Sequence, residues 1–237
     1  MNAPEVEVVV ARYREDVSWT ARLGLPVAIY DKSGDPGELA LPNIGRESHS
    51  YLTHIVRRYD MLAGHTIFVQ GSPFDHMPPG TTPEGLAERI RQNVRLGLAF
   101  TGFAFFKLKC DRLGQPHALG DAALHGHRPG FGRDIPVGAV YAQLFAGPVP
   151  ETFLVTAPAG MFFVARERVL ARPLAFYRRA LEIVTADPDD AGNTGHAFER
   201  LWQIIFNGDT RLNRTESGRP GTAPLASGKA PDQPARK

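Results

Sequence analysis

Residues able to do chemistry gather directly after three short apolar runs. Val6 to Ala11 is followed by Arg12, Tyr13, Arg14, Glu15 and Asp16. Pro26 to Tyr30 is followed by Asp31 and Lys32, and Thr66 to Val69 by Gln70, Ser72, Asp75 and His76. Guanidinium groups hold phosphate through paired hydrogen bonds, and carboxylates hold the divalent cations that accompany phosphates. The mixture suits a phosphate-bearing ligand. Loop ends are polar in any case, so each residue taken alone also fits an ordinary solvated surface.

Four other groupings invite a chemical test. In Asn43-Ile44-Gly45-Arg46-Glu47, Gly45 allows close approach to the backbone, with Arg46 and His54 lining that approach. The same block also reads as a helix start, with Asn43 capping and Glu47 favouring the dipole. His49 and His54 are five apart, so they miss the four-residue spacing that puts two zinc ligands on one helix face. His125 and His127 can point the same way in an extended loop, which makes them possible metal ligands or plain surface residues. Asp75-His76 is the better metal pair, because it follows a strand. Glu199 shares a helix face with His196, Arg200 and Gln203, where a carboxylate can act as general base or simply pair with Arg200 on a solvated face. Cys110, the single cysteine, reads as a small core residue.

The elements that must position these groups follow from periodicity. The β-branched run Val6 to Ala11, Pro26 to Tyr30, Thr66 to Val69, residues 98–109 and Gly160 to Val164 read as strands. Ser18 is placed to cap a short helix through Trp19 and Leu23. Tyr51, Leu52, Ile55, Val56 and Tyr59 make one face of a helix, with Arg46, Ser50, His54 and Arg57 on another. Further helices are expected after Pro83, from Pro173 to Val184, and from Gly195 to Phe206. Residues 111–138 read as loop. Strands alternating with helices predict an α/β fold, with a mostly parallel central sheet flanked by helices. Ligands in such sheets bind beyond the carboxyl ends of the strands, where the polar sets lie.

Composition narrows the function classes. The 237 residues carry 27 Lys and Arg against 25 acids, too balanced for bulk electrostatic binding of nucleic acid. The charge is unevenly spread: residues 208–237 hold six basic and three acidic groups, leaving residues 1–207 slightly acidic. That terminal stretch has four Gly, four Pro and only two large apolar residues, so a disordered tail is expected after one domain spanning 5–207. The longest apolar stretch, Leu96 to Phe106, is too short to cross a bilayer, and the start lacks a leader pattern, so a cytoplasmic protein is expected. Neither G-x-G-x-x-G after the first strand nor G-x-x-x-x-G-K-[ST] is present, which argues against dinucleotide and P-loop enzymes. G-x-S-x-G is missing too.

The blocks ARYREDVSW (11–19), IYDK (29–32), LPNIGRESHSYLTHI (41–55) and FVQGSPFDH (68–76) resemble an uncharacterised family named domain of unknown function 3431. Gly160 to Val164, Arg166 to Val169, Arg172-Pro173 and Gly195 to Trp202 extend that resemblance, which covers about residues 6–206. Asp31 departs from it, since Asn is expected there. More distantly, the order of two strands, an Asn-x-Gly-Arg-acid helix, a strand with a following Asp, a late Gly-x-Phe-Phe and Glu-Arg-Leu-Trp is similar to nucleotide-sugar glycosyltransferases of the A-type fold. That likeness implies that Arg12 to Asp16 and Asp31 face the nucleotide, with Asn43, Gly45 and Arg46 beside its diphosphate. It implies a Mn or Mg ion at Asp75 and His76, and Glu199 as the base for a glycan or other hydroxyl acceptor. Where such enzymes carry Asp-x-Asp, this chain has Gln70-Gly71-Ser72-Pro73-Phe74-Asp75-His76. Two alternatives stay open: a metal-dependent hydrolase built from Asp75, His76, His125 and His127, and a nucleotide- or glycan-binding module without turnover.

Overall fold

A computed structural model describes residues 3–105, 108–115, 134–155 and 160–207. In chain order the strands are β1 (Val6–Arg12), β2 (Val27–Asp31), β3 (His65–Gln70), β4 (Phe100–Gly102), β5 (Leu108–Cys110), β6 (Phe153–Val155) and β7 (Phe162–Ala165). The helices are α1 (Arg46–Arg58), α2 (Pro83–Arg95), α3 (Val137–Leu144), α4 (Arg166–Leu170), α5 (Leu174–Thr185) and α6 (Thr194–Asn207). Short 3-10 turns cover Ser18–Arg22, Tyr59–Met61 and Pro73–His76.

The main sheet has the order β2-β1-β3-β7-β4. β1 pairs in parallel with β2 and β3, while β7 runs antiparallel to both β3 and β4. The sheet is therefore mixed: four strands share one direction, as expected, and β7 alone opposes them, making two parallel and two antiparallel pairings. A separate two-stranded sheet joins β5 to β6. Residues 98–109 are thus not one strand: β4 ends at Gly102, and β5 belongs to the other sheet.

Both faces of the sheet are covered, which explains why β1 is almost uniformly apolar. Alternate residues feed opposite layers. Val9, Ala11, Phe68, Phe162 and Val164 join the layer of α1, α3, α5 and α6, centred on Tyr51, Phe198 and Trp202. Val8, Val10, Ile67, Val69 and Phe163 join the layer of α2 through Leu86, Ala87 and Ile90. Thr82 caps α2 by accepting from Gly85 N at 3.1 Å.

Helices α1 and α6 depart from simple amphipathicity. Ser50 and His54 of the expected polar stripe are buried, as are His196, Arg200 and Gln203. The reason is position: α1 lies between the sheet and α5 and α6, so its second face meets protein instead of water. Ser18 does not cap its turn; the turn is preceded by Val17, and Ser18 N and Oγ bond Asp16 at 2.9 Å. Helix α3 begins inside the segment read as loop, and β6 follows Pro148 and Pro150, beyond that segment. The expected tail, residues 208–237, lies outside the described residues.

Candidate functional site

The carboxyl ends of β1 and β3 open onto a cleft of about 360 Å³. Its wall is built from four chain segments. Ala11, Arg12, Tyr13 and Glu15 come from the end of β1, and Lys32 from the end of β2. Asn43, Arg46 and Glu47 come from the start of α1, and Gln70, Ser72, Asp75 and His76 from the end of β3 and its following turn. Parallel pairing of β1 with β3 aligns Ala11 with Gln70, so these two ends reach the cleft at one level. Trp19 Nε1 donates to Gly71 O at 2.8 Å and its ring meets Phe74 edge-on, fixing the β3 loop beside the β1 loop.

The cations at the cleft are held from behind. Arg12 donates through Nη1 to Asp31 and through Nε to Glu15 O at 3.1 Å. Burial works to raise Asp31, but hydrogen bonds from Ser33 and Arg12 outweigh it and keep the carboxyl below its ordinary range. Lys32 Nζ donates to the carbonyls of Ile44 and Arg46, tying β2 to the start of α1. Burial lowers Lys32 to about 8, against the pull of Glu47 and Asp190. Arg46 Nε reaches Asp190 Oδ2 at 2.8 Å. Asp16 is exposed and bonded to Ser18, whose N–H and hydroxyl lower its pKa; it is not among the cleft-lining residues.

Helix α1 starts in an unusual way. Gly45 precedes it with φ 59°, Arg46 has φ 50°, and the first turn has no side-chain cap, so Asn43 lines the cleft rather than capping. A Cβ on Gly45 would lie 2.0 Å from Val184 Cγ1 of α5, so glycine permits both the left-handed turn and the close helix contact. Arg46 and Glu47 of this first turn line the cleft, and a helix start favours an anion.

Glu47, in that first turn, is the most perturbed carboxyl at the cleft. Burial drives its pKa well above the ordinary range, and Glu199 adds to the rise. Gly160, just before β7, makes room for it: a Cβ there would come 2.8 Å from Glu47 Oε1. Glu199 does not line the cleft; it sits behind Glu47 and accepts from Arg200 Nη1 at 3.2 Å. Arg200 also donates to His196 O at 2.9 Å, and His196 Nδ1 meets Asn193 Oδ1. Burial lowers the pKa of His196.

His54 lies elsewhere. Two turns along α1, about 12 Å from Arg46 by helical rise, it sits toward the opposite end of the sheet. Its Nδ1 is 3.3 Å from Tyr30 Oη and its Nε2 3.5 Å from Glu7 Oε2. Burial drives its pKa down to about 3, so the ring is neutral and the Glu7 contact is not an ion pair. Cys110 is buried, and burial raises its thiol to about 11, which suits a core role.

Of the residues named from sequence, Arg12, Tyr13, Asn43, Arg46, Gln70, Asp75 and His76 line the cleft. Asp31 and Glu199 touch lining residues from behind, and Gly45 shapes the start of α1. Glu15, Lys32 and Ser72, members of the polar sets that follow the strands, line it too, as does Glu47, whose sequence position reads as a helix-dipole partner. Only burial distinguishes Lys32 and Glu47 from surface charges. Among the described residues no group of three metal-ligating side chains converges. A divalent cation would therefore be held by Asp75 together with ligand phosphate oxygens and water, the usual manner for magnesium. His125 and His127 lie outside the described residues.

Among the described residues no helix is long and apolar enough to cross a membrane. No curated protein and no solved structure matches the chain. The family model described as Protein of unknown function (DUF3431) matches residues 8–218, and the chain belongs to that family.

Proposed function

We propose that the protein is a glycosyltransferase-like enzyme, moving a sugar from a nucleotide-sugar to a glycan or other hydroxyl acceptor. One observation carries this reading. Residues far apart in sequence, Arg12, Arg46 and Asp75, converge on one cleft with Glu199 directly behind it. The cleft lies beyond strand ends, where α/β sheets hold nucleotides, and an uncapped helix start faces it. The order of β1, β2, α1, β3 with following Asp75, then β7 and α6, supports the likeness to A-type glycosyltransferases. In this reading Arg12, Lys32 and Arg46 hold the diphosphate, and Tyr13 lies beside the nucleotide. A manganese or magnesium ion at Asp75 would neutralise the leaving diphosphate. Asp31 and Asp190 keep the two arginines oriented while the cleft is empty, and yield them to phosphate. We place the enzyme in the cytoplasm on the single unpaired cysteine.

Thermal denaturation with a panel of nucleoside diphosphates and their sugars, with and without manganese, tests it. A ligand that binds only the folded chain raises the melting temperature. No shift with any member at millimolar concentration defeats the reading.

One feature favours a second reading, a binding module without turnover: no Asp-x-Asp follows β3. Glu199→Gln separates the two. Lost turnover with retained binding marks an enzyme, whereas a wild type that binds without turnover marks a module. Tight stoichiometric zinc in the purified protein would instead favour the hydrolase on Asp75, His76, His125 and His127.

A further inference from the structure

The start of α1 and the second turn of α6 bring two carboxyl groups together. Ser48 Oγ donates to Gly195 O at 3.2 Å and the Tyr51 ring lies 6.2 Å from that of Trp202, so the packing of α1 on α6 sets Glu47 beside Glu199. Two carboxylates sharing one buried site repel each other, so one of the pair keeps a proton. Glu47 is the better holder of the proton, because burial of its carboxyl raises its pKa well above the ordinary range. Arg200 Nη1 donates to Glu199 Oε2 at 3.2 Å, which puts the guanidinium on the Glu199 side of the pair. The surroundings keep the arrangement closed. Arg46 and Tyr51 face it from α1, Lys32 from the end of β2, and His196, Arg200 and Asp190 from α6 and the loop before it. Burial and both carboxyls keep the Tyr51 hydroxyl neutral. Among the described residues Glu47 Oε1 and Tyr51 Oη are buried and without hydrogen-bond partners. Buried polar atoms are rarely left so, and of these two residues Glu47 lines the cleft, where a ligand hydroxyl would meet it.

We propose that Glu47 and Glu199 form a one-proton dyad at the cleft floor, in which Glu47 is the catalytic residue that meets the acceptor hydroxyl. Glu199 is then a positioning residue acting through Glu47. This role rests on the glycosyl-transfer reading above. The acceptor proton passes to Glu47 as the proton of Glu47 moves to Glu199. The acceptor oxygen bonds to the anomeric carbon, and the bond from that carbon to the diphosphate oxygen breaks. Its electron pair leaves with the diphosphate, which gains the negative charge that the dyad loses.

Carbon-13 NMR of the full chain, labelled at glutamate carboxyl carbons, reads the dyad without any substrate. The wild type should show one glutamate still protonated at neutral pH. Its signal should vanish in Glu47→Gln, and its midpoint should fall in Glu199→Gln, which removes the neighbouring charge. Every glutamate titrating in the ordinary carboxylate range overturns the dyad, and the wild-type titration suffices for this if Glu47→Gln does not fold. The catalytic role is read by release of nucleoside diphosphate from UDP-glucose and GDP-mannose. Glu47→Gln should slow release at least about 100-fold with donor binding retained. Wild-type release by Glu47→Gln overturns the role. A wild type that binds no donor removes the transfer role with the parent reading, while the titration still decides the dyad.

Discussion

Arg12 and Asp31 are register partners at the ends of β1 and β2, and their side chains form an ion pair at the cleft mouth. The pair presets Arg12 but also neutralises it. Each side chain is about one quarter exposed (26% and 22%), so the pair contributes modestly. Asp31→Asn keeps the shape and frees the guanidinium for phosphate. Calorimetry should show pyrophosphate or a nucleoside diphosphate binding about fivefold more tightly, close to 1 kcal/mol, in the variant. Unchanged or weaker binding would place the anion away from Arg12.

Gly45 should tolerate no side chain. Alanine at φ 59° is strained, and its Cβ would collide with Val184 Cγ1. Strain and overpacking together predict a loss of about 3 kcal/mol in urea unfolding. Val184→Ala in the same chain should restore the steric part but not the strain, and a double-mutant cycle measures the split. Full tolerance of Gly45→Ala would show that α1 and α5 are not held as close as described.

Burial lowers the pKa of four histidines, His49, His54, His65 and His196, and these set the behaviour in mild acid among the described residues. Burial lowers His49 to about 4 and His54 to about 3, from an ordinary 6.5. The unfolded chain therefore binds protons below 6.5 that the folded chain refuses. Stability is complete above that pH and falls as pH drops through the window, by about 1.4 kcal/mol per unit for each ring. Glu7 and Glu47, raised by burial, slope the opposite way above 4.5. These, with His49, His65 and His196, are present in both proteins to be compared. Urea midpoints between pH 6.5 and 5 should thus vary less steeply in His54→Gln than in the wild type. Equal slopes would mean that His54 is protonated in the folded state.

Local pattern carried much of the fold. The β-branched runs and the apolar stripe of α1 are periodic, and β1, β2, β3, α1, α2, α5 and α6 formed close to where periodicity puts them. Strand direction was not legible: Phe162, Phe163 and Val164 are apolar whichever way β7 runs, and its antiparallel pairing depends on distant β3. Helix α3 was hidden because Gly138 and the flanking prolines resemble loop, while its burial comes from tertiary contact with α6. At the cleft, cations after strands were legible because strand ends are known ligand positions. Glu47 was not. An acid in a first turn reads as a dipole partner, and only the packing of Gly160 and Glu199 around it reveals a buried carboxyl.

The central claim is that this cleft holds a nucleotide-sugar, and calorimetric titration of the wild type and Arg46→Asn with a nucleotide-sugar panel tests it most directly. Asn accepts the left-handed conformation at position 46, so the variant removes the guanidinium without adding strain. At least one nucleotide-sugar should bind the wild type and bind Arg46→Asn at least about tenfold more weakly, a difference of about 1.4 kcal/mol. No heat with any member of the panel, or equal binding by the two proteins, would contradict it.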